Sequence, residues 1–200
     1  MTAEKAVDFL QGLDQKIHNK NVLFFDMDGL LVDTNFANYL SYKKAIESVT
    51  QSVPNISYNP DKRFNREALK SVIPNLSETE YKRIILEKEQ YYKDFLPETK
   101  LNKLAADILL KYSKTNKCVL ITNCREDRAL MTLHYSGLTD KFSNIFYRQL
   151  DDNETSINKY QYAVSYLCVS PSTVIVFENE QFEIANAIEA GIPDKNIISI

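Results

Sequence analysis

Short runs of branched and aromatic residues alternate with longer amphipathic stretches along most of this chain. Val22 to Phe25 is apolar and ends abruptly at the turn signal Asp26–Gly29. A short, fully apolar run bounded by a turn is the pattern of a strand buried on both faces of a parallel sheet. Cys118 to Ile121, Asn144 to Phe146, Val174 to Phe177 and Ile197 to Ile200 predict further strands. Helix-period segments lie between them: Leu101–Tyr112, Asp127–Ser136 before Gly137, Lys159–Cys168, and Ile184–Ala190 before Gly191. Glycine just past the last turn is the favoured helix stop. Ahead of the first strand, Ala6, Leu10, Leu13 and Ile17 are spaced four, three and four apart. That is one helical stripe within residues 3–19, and it predicts a helix packed on the core.

The stretch between the first two strands differs. Phe36, Tyr39, Leu40 and Tyr42 open a helix that runs to about residue 50. Pro54, Asn55, Asn59 and Pro60 mark a loop. Arg66–Val72 is a short helix broken at Pro74-Asn75. Ser77 to Glu80 has the residue types and spacing of a capping box, predicting a helix from Glu78 to Phe95 that Pro97 ends. Residues 34–98 therefore carry no predicted strand. A strand, a helical block and then repeated helix–strand units spell an α/β fold with a parallel sheet and helices on both faces.

Composition narrows the function classes. Two hundred residues suffice for one domain with a modest insertion. Apolar residues make up 44% and charged residues 26%, as in ordinary globular proteins. A net charge of −3 argues against a nucleic-acid surface, which needs a basic excess. No segment approaches the length of a membrane span, and the N-terminal residues Glu4, Lys5 and Asp8 do not open a signal peptide. Cys118, Cys124 and Cys168 are an odd number without metal-like spacing, as expected for reduced thiols in the cytoplasm. His18 and His134 are too few for a histidine metal site or a serine-type triad.

The candidate chemistry sits at the first strand. Asp26 and Asp28 follow a buried run directly, and such strand ends face the ligand crevice of open α/β sheets. Gly29 suits a tight bend there. The stretch FDMDGLLVDT resembles the first signature of the haloacid dehalogenase superfamily, most closely its β-phosphoglucomutase-like subgroup. Thr122 at the end of CVLIT, Lys159, and VIVFENEQFEIANAIEAGI with its Ala190-Gly191-Ile192 ending follow in that superfamily's order.

The resemblance implies a Rossmann-like core over residues 1–33 and 99–200 and an α-helical cap over 34–98. It implies that Asp26 attacks phosphorus and that Asp28 serves as acid and then base. Thr122 and Lys159 clamp the phosphoryl group. The same resemblance implies Mg²⁺ held by Asp26, Asp28, Glu178 and Asn179. Asn123 and Arg125, with Arg66 and Lys88 on the cap, are the expected substrate contacts. Relatives that dehalogenate lack the second acid, so Asp28 points to phosphate chemistry. An ordinary aspartate titrates near ~3.9 and needs no base to ionise it. The expected function is a Mg²⁺-dependent phosphatase of a small phosphorylated metabolite, monomeric or weakly dimeric, with no nucleic-acid or membrane partner.

The chain also departs from that pattern. Asn179 stands where a second acid is usual and Glu183 where glycine is usual. The amide removes a negative charge from the expected Mg²⁺ site. Glu183 either restores charge or lies at a helix N-terminus, where acids are favoured. A catalytically weakened ligand- or partner-binding module is thus the second reading. A sugar phosphomutase is the third, disfavoured because Asn38 occupies the place of the histidine that mutase relatives carry.

Overall fold

A computed structural model describes residues 3–52, 55–148 and 157–200, with side chains described from residue 8 onward. Of the predicted features, the loop residue Pro54 and the side chain of Ala6 lie outside the described residues. The helices, in chain order, are α1 (Ala3–Lys16), α2 (Asn35–Thr50), α3 (Arg66–Val72), α4 (Glu78–Tyr91), α5 (Lys103–Tyr112), α6 (Glu126–Tyr135), α7 (Lys159–Leu167) and α8 (Gln181–Glu189). The strands are β1 (Val22–Phe25), β2 (Val32–Asp33), β3 (Lys100–Leu101), β4 (Lys117–Ile121), β5 (Asn144–Phe146), β6 (Val174–Phe177) and β7 (Ile197–Ile198). The chain divides into two compact units, Met1–Leu31 with Leu101–Ile200, and Val32–Lys100.

The first unit is built on a parallel five-stranded sheet in the order β5-β4-β1-β6-β7. Strand β1 is central: Phe25 lies opposite Leu120 on one side and Phe177 on the other. Leu23, Phe24 and Phe25 are fully buried, which explains the unbroken apolar run. Phe25 stacks on Phe177 with ring centroids 4.5 Å apart. Phe24, Val119, Val174, Val176, Tyr160 and Ala163 form the core between the sheet and α7. Leaving β1, the chain builds the sheet toward β4 and β5; it then returns to β6 and builds toward β7. The strand order therefore reverses between β1 and β6. Ligand crevices open beyond the carboxyl ends of strands at such a reversal.

The second unit has its own core. Tyr42, Ala45 and Ile46 of α2 pack with Leu69 of α3 and Ile84 of α4. The capping box at the start of α4 forms as its sequence predicts. The Ser77 hydroxyl accepts the Glu80 amide at 3.2 Å, and a Glu80 carboxylate oxygen accepts the Ser77 amide at 2.9 Å.

Boundaries differ from the sequence pattern in a few places. The helix expected to reach Phe95 stops at Tyr91 and tightens into a 3₁₀ segment, Tyr92–Glu98, with Pro97 inside it. Proline lacks the amide that a further α-turn requires. Strands β2 and β3 pair in a separate two-stranded ladder and are too short for a two-residue periodicity to reveal. Strand β7 ends at Ile198, not Ile200, because the Asn179 side chain binds the Ile200 backbone instead. Cys168, expected within α7, caps it in the left-handed conformation.

Candidate active site

Three strands deliver the predicted residues to the carboxyl edge of the sheet. Asp26 follows β1, Thr122 follows β4 and Glu178 follows β6. Their backbone amides extend the ladder by one step, to the carbonyls of Phe177, Phe146 and Ile198 respectively. All three side chains are buried. Gly29 turns the chain after Asp28 at φ +86°, a conformation that disfavours any residue with a Cβ.

Lys159, the first residue of α7, reaches into this edge. Its ammonium donates to Asp26 Oδ1 at 2.7 Å and to Glu178 Oε2 at 3.1 Å, and lies 3.4 Å from Glu183 Oε2. It is 6% exposed. Burial favours loss of its proton, but Asp26 when ionised, with Glu178 and Glu183, outweighs that and holds it protonated above its ordinary range. Lys141, the lysine before it in the described chain, pairs with the neighbouring Asp140.

Asp26 departs from the ordinary aspartate that its sequence predicts. Burial, with added repulsion from Glu178 and Asp28, pushes its carboxyl up to about 8 against the pull of Lys159. Its Oδ2 accepts no hydrogen bond among the described residues.

Glu178 is fully engaged. Its Oε1 accepts the Asn179 and Glu180 amides at 2.8 and 3.0 Å. Its Oε2 accepts Lys159 and the Tyr160 hydroxyl, the latter at 2.7 Å. Asp28 is held by Arg128 of α6, with Nη2 2.9 Å from Oδ2. The Thr122 hydroxyl oxygen accepts the Cys124 amide at 3.1 Å. It does not cap α6, whose N-cap is Arg125. Asn123 donates to Glu183 Oε1 at 2.7 Å.

Other predicted residues fall elsewhere. Asn179 turns away from the carboxylates: its amide nitrogen donates to the Ile200 carbonyl at 2.6 Å, and its oxygen accepts the Ile200 amide at 2.9 Å. Arg125 is exposed and faces Asp127 at 3.5 Å. Arg66 and Lys88 belong to the second unit. Arg66 is exposed at the start of α3. Lys88 is buried, paired with Glu89 at 2.8 Å and 5.0 Å above the Tyr42 ring. Asn38 is buried there too, donating to the Phe64 carbonyl at 2.7 Å. Arg128 and Tyr160 escaped the sequence analysis. An arginine or tyrosine in an amphipathic helix has no pattern that separates an inward role from a solvated one.

Comparison with known proteins identifies the family. The family model described as haloacid dehalogenase-like hydrolase matches residues 23–194. The chain belongs to the haloacid dehalogenase-like hydrolase family. No curated protein sequence matches it. Solved structures share its fold. The CbbY protein of Rhodobacter sphaeroides, solved in complex with phosphate, is 15% identical with a TM-score of 0.72, covering 90% of this chain and 85% of that one. A phosphoglycolate phosphatase, so predicted, from Haemophilus somnus is 20% identical, TM-score 0.69, over 92% and 85%. A haloacid dehalogenase-like hydrolase from Streptococcus pneumoniae is 18% identical, TM-score 0.65, over 88% and 83%.

Within this haloacid dehalogenase-like site, the donor chemistry fits a hard divalent cation in part. Burial first, and then repulsion from Glu178 and Asp28, disfavours the ionised form of Asp26. A divalent cation would offset this, and Asp26 Oδ2 is available to hold one. Asn179 does not fit, because Ile200 occupies its amide oxygen. No group of three or more metal-type side chains stands ready among the described residues. Glu178 would exchange hydrogen bonds to join a metal.

Proposed function

We propose that this hydrolase is a phosphatase that acts on a small phosphorylated metabolite through a covalent phosphoryl-aspartate. The observation that carries the proposal is the buried Asp26–Lys159–Glu178 cluster at the strand-order reversal. An aspartate in that crevice is a competent nucleophile, and a covalent intermediate splits one difficult displacement into two easier ones. Asp26 attacks phosphorus as the bond to the leaving oxygen breaks. The proton that Asp26 sheds to become a nucleophile passes to Asp28, which Arg128 aims and which gives it to that oxygen. In the second half Asp28 takes a proton from water, which attacks phosphorus and frees Asp26 and inorganic phosphate. Lys159 offsets charge on the equatorial oxygens, and Thr122 and Asn123 supply hydrogen bonds. Mg²⁺, held by Asp26, the Asp28 carbonyl and Glu178, would cancel the repulsion between a carboxylate and an anionic phosphate.

The test is phosphate release from a panel of phosphorylated metabolites and an aryl phosphate, with Mg²⁺ and with EDTA. Metal-dependent release that falls to background in Asp26→Asn is the expected result. Turnover that survives this substitution sinks the mechanism. The second reading, a binding module of weakened chemistry, draws on Asn179, whose amide is bound to Ile200 and adds no charge to the site. Folded protein that releases no phosphate from any substrate would favour it. The buried bond of Asn38 to Phe64 gives a phosphomutase no proton shuttle at that position.

A further inference from the structure

We propose that Glu183 is a built-in anion that fills the phosphate pocket, so that its carboxylate sets how strongly this site takes a phosphate group. The inference rests on the reading of Lys159 and Asn123 as phosphate contacts.

Glu183 lies in the first turn of α8, where an acid ordinarily faces water and the helix dipole. This one is 6% exposed. One carboxylate oxygen accepts Asn123 Nδ2 at 2.7 Å, and the other lies 3.4 Å from Lys159 Nζ. The second oxygen also meets Asn186 Nδ2 at 3.4 Å. A single carboxylate thus bridges the cation and the amide that a phosphoryl group would need. The same ammonium touches Asp26, so the carboxylate lies beside the nucleophile.

A phosphate oxygen and a carboxylate oxygen want the same donors, and both are anionic. Two anions on one buried ammonium repel strongly, because little solvent screens them. A phosphate therefore enters only as Glu183 swings away from Lys159 and Asn123. The site gives up affinity for free phosphate in consequence. A substrate must supply contacts beyond its phosphoryl group to displace the carboxylate.

Inorganic phosphate is the probe. Its binding is measured calorimetrically, in Mg²⁺ buffer, to the full chain and to Glu183→Gln and Glu183→Ala. Each protein is also made with Lys159→Met, and thermal melting checks that all are folded. Glutamine keeps the shape and removes the charge; alanine removes both. Both variants are expected to bind phosphate roughly tenfold tighter or more than the unaltered chain, since a like charge placed against a ligand is costly. Lys159→Met should erase the gain. Equal or weaker binding by both variants, with Lys159→Met still abolishing it, overturns the role of Glu183 and leaves the site reading intact. Binding that ignores Lys159→Met throughout means phosphate sits elsewhere, and the site reading falls with the proposal. No binding by any variant also overturns it, since the carboxylate would then not be what keeps the anion out.

Discussion

Asp26 shows how a candidate site residue is set against stability. Its carboxyl is pushed up to about 8 by burial and by Glu178 and Asp28, from an ordinary 3.8. Between those values the folded, metal-free chain keeps a proton that the unfolded chain has released. Stability therefore falls as pH rises through that window. Asp26→Asn removes the ionisation and leaves Lys159 paired with Glu178 and Glu183. In EDTA at pH 8 the variant should melt about 2–4 °C higher or more, the shift expected from ~1 kcal/mol in a chain of this size. Near pH 4 the two proteins should melt together. A lower melting temperature for the variant at pH 8 would show that the pull of Lys159 outweighs burial and the repulsion of Glu178 and Asp28. At this scale the sequence is legible where acids sit at a strand end, because Asp26 and Asp28 are placed by β1 itself. It is silent on Arg128 and Tyr160, whose partners lie 100 and 18 residues away.

The helices divide into those closed by local chemistry and those closed by their surroundings. Helix α4 starts where Ser77 and Glu80 bond each other's backbones, so four residues contain the whole instruction. Ser77→Ala should cost about 1 kcal/mol and lower the melting temperature by about 2–4 °C, read by circular dichroism. Lys82→Ala is the contrast. It breaks an exposed pair with Glu78, and the shift should stay within about 0.5 kcal/mol. An equal loss from both would mean that the capping box contributes no more than a surface pair. The end of α4 departs from the sequence pattern because the tightening at Tyr92 precedes Pro97 by five residues. Strand β7 is shorter than its apolar run because the backbone at Ile200 bonds a side chain from the loop after β6 rather than a ladder.

In the whole molecule, the second unit interrupts the first between Leu31 and Leu101. Within the first unit the gap is already closed: the Asn102 amide donates to the Leu31 carbonyl at 2.9 Å. The first unit also holds its own five-stranded sheet and core. Replacing residues 32–100 by a short glycine-serine linker should therefore leave a chain that unfolds cooperatively, since a short loop across adjacent ends costs little entropy. A non-cooperative melt with exposed apolar surface would show that the first unit depends on the second. The described helices include none long and apolar enough to cross a membrane.

What the sequence determined by itself is everything whose cause is local. Buried strands read as apolar runs because both their faces are covered. Helix ends read as caps because the capping groups lie within a turn. The two acids read as a site because they leave the same strand. Only the tertiary structure decided that Asn179 turns to Ile200, that Arg128 holds Asp28, and that Glu183 points inward to Lys159 and Asn123. A helical charge carries no local mark of its direction. Its partner is chosen by which elements the sheet brings together, and that choice is made across tens of residues of intervening chain.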